Sequence, residues 1–199
     1  LDAITLKTSI TLRTRLLPVP FLLVPLLLGI IPAGLRAQDP QPGARGAYFR
    51  IVADHFEVPV EEVTILGDWD LAVDEVPVVL FFSKRAGVSP DALVGFRRRG
   101  RSWAEVAARF GVGTRALFLP MPDDAALGVL DRAYGEYRSR PAGEWNQISL
   151  NNTEIVFLVN LRVLSDEVGV PPLRVLQSRE AAGSFAACLA GIIGSTDIR

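Results

Sequence analysis

A chain of 199 residues with 21 basic and 22 acidic side chains, one histidine and one cysteine offers no multi-histidine metal site and no internal disulfide. Its formal net charge of −1 gives no global attraction to nucleic acid or to an anionic membrane. Function must therefore reside in a local cluster or surface rather than in the charge balance as a whole.

The first segment is basic (Lys7, Arg13, Arg15) and is followed by twenty uncharged residues, 16–35, before Arg36-Ala37-Gln38-Asp39. A positive n-region, an apolar h-region and a small residue at the cut site are the layout of a bacterial-type secretory signal. It predicts a signal peptide over 1–37, cleaved after Ala37, and a periplasmic or secreted product. Twenty apolar residues also suffice for a single-span anchor, which is the alternative. Pro18, Pro20, Pro25 and Pro32 break up the run and favour cleavage. Arg36, Arg45 and Arg50 balance Lys7, Arg13 and Arg15 across the segment, so positive charge does not fix a topology. Without Lys7, Arg13, Arg15, Arg36 and Asp2, the remaining 162 residues hold 17 basic and 21 acidic groups, enough chain for one domain with its own core.

Residues 38–46, Gln-Asp-Pro-Gln-Pro-Gly-Ala-Arg-Gly, read as a linker, and the domain as 47–199. The segment from Val58, Val-Pro-Val-Glu-Glu-Val, reads as a short N-terminal half-unit because it echoes Val88-Ser-Pro-Asp-Ala-Leu. Next comes 74–86, whose Val-Pro-Val-Val-Leu-Phe-Phe alone passes for a buried strand. Its counterpart 154–168 decides for helix. That stretch is too long for an average strand, and Asn160, Arg162 and Ser165 do not alternate as pleating requires. Ser89-Pro90-Asp91 then supplies an N-cap, a first-turn proline and an acid, with Gly100 as the stop. Ser102-Trp-Ala-Glu105 is a capping box opening a helix with Val106 and Phe110 on its apolar face, ended by Gly111. Residues 123–137 predict another helix and 141–149 an extended connection.

Shifting Gly87–Val106 by 82 positions lays it on Gly169–Cys188. Gly87/Gly169, Val88/Val170, Pro90/Pro172, Arg97/Arg179, Ser102/Ser184 and Ala104/Ala186 are identical, and Trp103 falls on Phe185. Repeated units of this kind share a core. The expected fold is a single all-α domain of two related three-helix units, about 74–111 and 153–193, plus the half-unit. With its paired Gly-Val-x-Pro and Ser-aromatic stretches, the chain resembles uncharacterised exported all-helical proteins of bacteria. That resemblance implies export and a helical fold, and no activity.

The clusters that carry chemistry are few. Residues 102–120, with Ala107 four positions before Gly111, resemble the helix-turn-helix of bacterial DNA-binding proteins. Pro120 cuts the would-be reading helix short, and Leu117-Phe118-Leu119 are apolar where base-reading side chains belong, so packing is the favoured reading and nucleic acid a disfavoured partner. Arg97, Arg98, Arg99 and Arg101 form the densest charge and a candidate anion site; a solvated helix end paired with the acidic stretch 51–83 is the bland alternative. Tyr134, Tyr137, Arg138, Arg140 and Trp145 have the composition of a recognition surface, or equally of a packing seam. Asp68, Asp70, Asp74 and Glu75 lack the calcium-loop glycine and read as helix-capping carboxylates. His55 is the one candidate base for Cys188, whose Ala-Ala-Cys-Leu-Ala setting predicts burial. No catalytic, cofactor or metal residues are assigned. The expected function is an exported, cofactor-free helical interaction or structural module with a protein or envelope partner. A membrane-tethered helix-turn-helix protein comes second and a small envelope enzyme third.

Overall fold

The structure, a computed structural model, describes residues 42–196. The expected signal peptide, with its cut site, and the alternative anchor fall on residues outside those described. Those described form an all-α domain without strands, and none of their helices is long and apolar enough to cross a membrane.

The element order is α1 (Pro42–Phe56), α2 (Val60–Gly67), α3 (Val76–Ala86), α4 (Pro90–Arg98), α5 (Trp103–Phe110), α6 (Asp131–Ser139), α7 (Asn152–Val168), α8 (Pro172–Ala182) and α9 (Phe185–Thr196). Short 3-10 turns lie at Val73–Glu75, Thr114–Leu117, Gly128–Leu130 and Ala142–Gln147. The central helix is α7. Ile155, Leu158, Val159, Asn160, Leu161, Val163, Leu164 and Ser165 are all buried on it, and it packs against α1, α3, α5 and α8. A helix covered on nearly every face is a core element rather than a surface amphipath. Burial also accounts for the strand-like look of Val76–Phe82, since every one of its seven residues is buried in α3.

One corner recurs along the chain. Glu57, Gly87, Gly111 and Gly169 each end a helix with positive φ (52°, 65°, 70° and 71°). A valine follows each. The next residue (Pro59, Ser89, Gly113 or Pro171) is extended, with ψ between 139° and 149°, and the following helix or 3-10 turn then starts. The amides of Val58, Val88 and Val112 reach back five residues to the carbonyls of Ala53, Ser83 and Ala107 at 3.0, 3.3 and 2.9 Å. This is a Schellman-type closure, which needs one left-handed residue. Gly87 and Gly169 supply it without strain, whereas Glu57 adopts it with a Cβ.

Three boundaries differ from expectation. α1 begins at Pro42, inside the expected linker, and Arg45 from its first turns bonds Gly67 O at 3.0 Å and Asp68 at 3.1 Å. Proline suits a first helical turn, so a Pro-Gly composition did not mean coil here. The helix expected over 123–137 starts only at Asp131: Gly128 has φ 53°, and the Asp131 carboxylate accepts from the Leu127 amide at 2.8 Å. The connection 141–149 is not extended but contains the 3-10 turn Ala142–Gln147, closed onto α6 by Trp145 Nε1 donating to Tyr137 O (3.0 Å) and Arg140 O (3.1 Å).

Candidate functional site

Two adjacent acids organise the interior. Asp74 and Glu75 sit in the 3-10 turn before α3. Glu75 accepts from Arg97 and from the Trp103 indole N–H (2.8 Å), and the Arg97 guanidinium lies 4.9 Å over the Trp103 ring. Asp74 accepts from Arg179 and from the Phe185 amide, both at 3.4 Å, with the Arg179 guanidinium 5.0 Å over the Phe185 ring. Trp103 and Phe185 are fully buried at the first positions of α5 and α9. The main chain of Asp74 also receives Asn160 Nδ2 at 2.8 Å, and Asn160 Oδ1 accepts from the Tyr48 hydroxyl. Burial pushes the Asp74 carboxyl up, partly offset by Arg179 and by the Phe185 amide. These acids therefore do not gather around a cation. Among the described residues no group of three His, Cys, Asp or Glu side chains is placed to hold a metal ion.

The arginine run 97–101 divides. Arg97 turns inward to Glu75, Arg101 pairs with Glu105 at 3.1 Å, and Arg99 stacks 4.6 Å over Phe96. Arg98 is exposed beside Asp70 and Leu71. α4 ends at Arg98, so only the first two arginines are helical, and Arg97, Arg99 and Arg101 take separate partners. The acidic stretch does partner the basic one, through Arg97–Glu75 and the looser Lys84–Glu57 contact of 3.8 Å.

The aromatic–arginine group is brought together. Tyr134, Tyr137 and Trp145 surround Phe118, with ring centroids 6.0, 5.1 and 4.3 Å away. Tyr134 donates to Leu119 O (2.6 Å) and Tyr137 to Thr114 O (2.9 Å), and both rings are buried. Burial raises both phenols, Tyr134 to about 12. Arg138 bonds Pro122 O at 2.9 Å and Arg140 pairs with Glu136 at 2.8 Å on the outside. The cluster fastens the loop 118–127 to α6.

The helix-turn-helix-like segment keeps its first helix and its turn, but its second element is the one-turn Thr114–Leu117, after which Phe118 is extended. Val106, Leu117 and Leu119 are buried. His55 contacts Glu167 at 3.1 Å. Buried Cys188 has Val175 O as its hydrogen-bond acceptor, and burial raises its thiol to about 11, the opposite of an activated nucleophile.

What the fold leaves open is a groove of about 480 Å³ beside α5, floored by Ala104, Ala107, Ala108 and Gly111 and rimmed by Gln147 and Ser149. It shares Gly113 and Asn146 with a second cleft of about 470 Å³ bounded by Arg85, Arg115 and Arg162. A Cβ at Gly113 would collide with the Asn146 side chain, whose Oδ1 accepts from the Arg115 amide at 3.1 Å. Neither opening is visible in the sequence, because its walls come from separate segments. Comparison with protein-family models, with curated proteins and with solved structures gives no match.

Proposed function

We propose that this chain is an exported helical interaction module that acts at the periplasm or cell envelope, binding a partner along the α5 groove without a cofactor. The observation that carries the reading is the groove floor. Four small residues on a capped helix leave the backbone open to close approach, while Gln147 and Ser149 offer polar groups at the edge. In binding clefts a few placed polar groups fix the orientation of what enters. Lys7, Arg13 and Arg15 ahead of the apolar run support export. The matching corners before α4 and α8, and the matching burial of Trp103 and Phe185, support a duplicated unit.

The test joins location and contact. An alkaline-phosphatase fusion to the full chain should be active, since that enzyme needs an oxidising compartment to form its disulfides, and the mature protein should begin at Gln38 by intact mass. A photo-crosslinking side chain at Ala108 or Gln147 should give a discrete adduct in intact cells, and one at exposed Ile65 should not. An inactive fusion rejects export. Equal labelling at Ile65 rejects the groove.

A further inference from the structure

We propose that the cleft bounded by Arg85, Arg115 and Arg162 binds a phosphate group carried by a small ligand. This inference rests on neither export nor the groove.

The three arginines come from the end of α3, the turn after α5 and the middle of α7. Arg85 and Arg162 both lie over the ring of Phe81, at 5.4 and 5.6 Å, which draws two like charges to one place. Arg162 is half-buried and donates to Phe118 O at 2.8 Å, an uncharged acceptor. Burial and the nearby Arg85 both pull its pKa down, and Asp166 on the next turn counters them only in part. Seven other arginines (45, 97, 101, 132, 138, 140 and 179) sit in ion pairs. Among the described residues, none of the three in this cleft does.

Two exposed arginines and one half-buried arginine facing one cleft repel one another, and an anion that joins them relieves the repulsion. Guanidinium groups present planar forks that match oxyanions, and three of them suit the dianion and multiple oxygens of a phosphate better than a single carboxylate. Asn146 adds a fourth donor. Its Oδ1 is occupied by the Arg115 amide, and its NH₂ group has no partner among the described residues. Ala116 and Phe118 give the remaining wall an apolar surface for the rest of the ligand.

Calorimetric titration of the full chain with pyrophosphate at low salt tests the site. We expect saturable one-to-one binding, weakened at least tenfold by Arg85→Ala and by Arg115→Ala. Both side chains are exposed, so folding should be spared. Arg174→Ala, an equal charge change on the exposed side of α8, should leave binding within twofold. Absence of saturation at millimolar pyrophosphate, or an equal loss in the Arg174 variant, overturns the proposal. Competition then separates sources of the group. Displacement by glycerol phosphate supports a soluble phosphomonoester, and displacement by phosphatidylglycerol but not phosphatidylcholine vesicles supports a lipid headgroup. A random-sequence duplex that binds more tightly than pyrophosphate at physiological salt overturns the small-ligand reading, because non-specific duplex binding normally fades there to about 10⁻⁴–10⁻⁶ M.

Discussion

The corner at the start of α5 and the corner at the start of α9 solve one problem with different parts. In each, an arginine from the preceding helix covers a buried aromatic ring, and an acid from the turn before α3 holds the arginine. At Trp103 the work is divided: Glu75 takes the guanidinium and the indole N–H, while Asn152 Oδ1 accepts from the Trp103 amide at 2.7 Å. Phe185 has no ring N–H, and Asp74 takes both the guanidinium and the Phe185 amide, at longer distances. Arg97 and Arg179 even share a cost, since the buried Nε of each has no hydrogen-bond partner. The same ring-and-arginine device thus tolerates a change of acid, provided each main-chain amide still finds an acceptor.

The largest expected effect comes from removing the rings. Trp103→Ala and Phe185→Ala should each cost about 3–5 kcal/mol by loss of a buried aromatic. The Trp103 variant should lose more, because Glu75 and Arg97 would also lose the indole. Thermal melts of both variants decide this, and a Trp103 variant that melts with the wild type would end the comparison.

Exchanging the acids is the next step down. Both ion pairs have side chains less than a fifth exposed, so solvent screens them little. Glu75→Gln removes the carboxylate that pairs with Arg97, with an expected loss of about 1.5–3 kcal/mol. Asp74→Asn keeps an acceptor for the Phe185 amide and replaces a carboxyl whose charge burial already disfavours, so it should lose less. Denaturant unfolding of the two variants ranks them, and the reverse order would show that Asp74, not the Trp103 corner, bears the greater load.

The smallest effect is a pH dependence that belongs to one corner. Asp74 titrates in the folded state above its ordinary 3.8 because burial disfavours its charge. A raised folded-state pKa means that folding takes up a proton, so its stabilising contribution is present at low pH and fades as pH rises through that value. The wild type should therefore gain on Asp74→Asn as pH falls from neutrality toward 4. A difference that stays flat across that window would refute the shift.

The sequence made the paired residues of these corners visible, and their partners much less so. Arg97 and Arg179, Trp103 and Phe185 fall on one another at a single offset, and the capping box at Ser102 is a local signal. Asp74 and Glu75 read as generic capping acids because their partners lie far along the chain. A second capping box, Asn151 with Glu154, has the same spacing at the head of the long apolar run of α7, and buried Glu154 also binds Arg132. The charge run 97–101 is prominent in the sequence, although α4 ends at Arg98, and Arg97, Arg99 and Arg101 take separate partners. Arg85, Arg115 and Arg162 lie on three separate segments, and only the fold brings them to one cleft.

Asp74 and Glu75 are joined by one peptide bond, and they hold different groups of helices. Anything that rotates the turn to free one carboxylate must disturb the other, along with the Asn160 amide that is bonded to the same backbone and reaches α1 through Tyr48. Local opening free energies usually differ from one cooperative block to the next. Here the Trp103 indole N–H and the Phe185 amide, far apart in the chain, would exchange with solvent deuterium through a common opening, so that α5 and α9 come loose as one event instead of fraying separately.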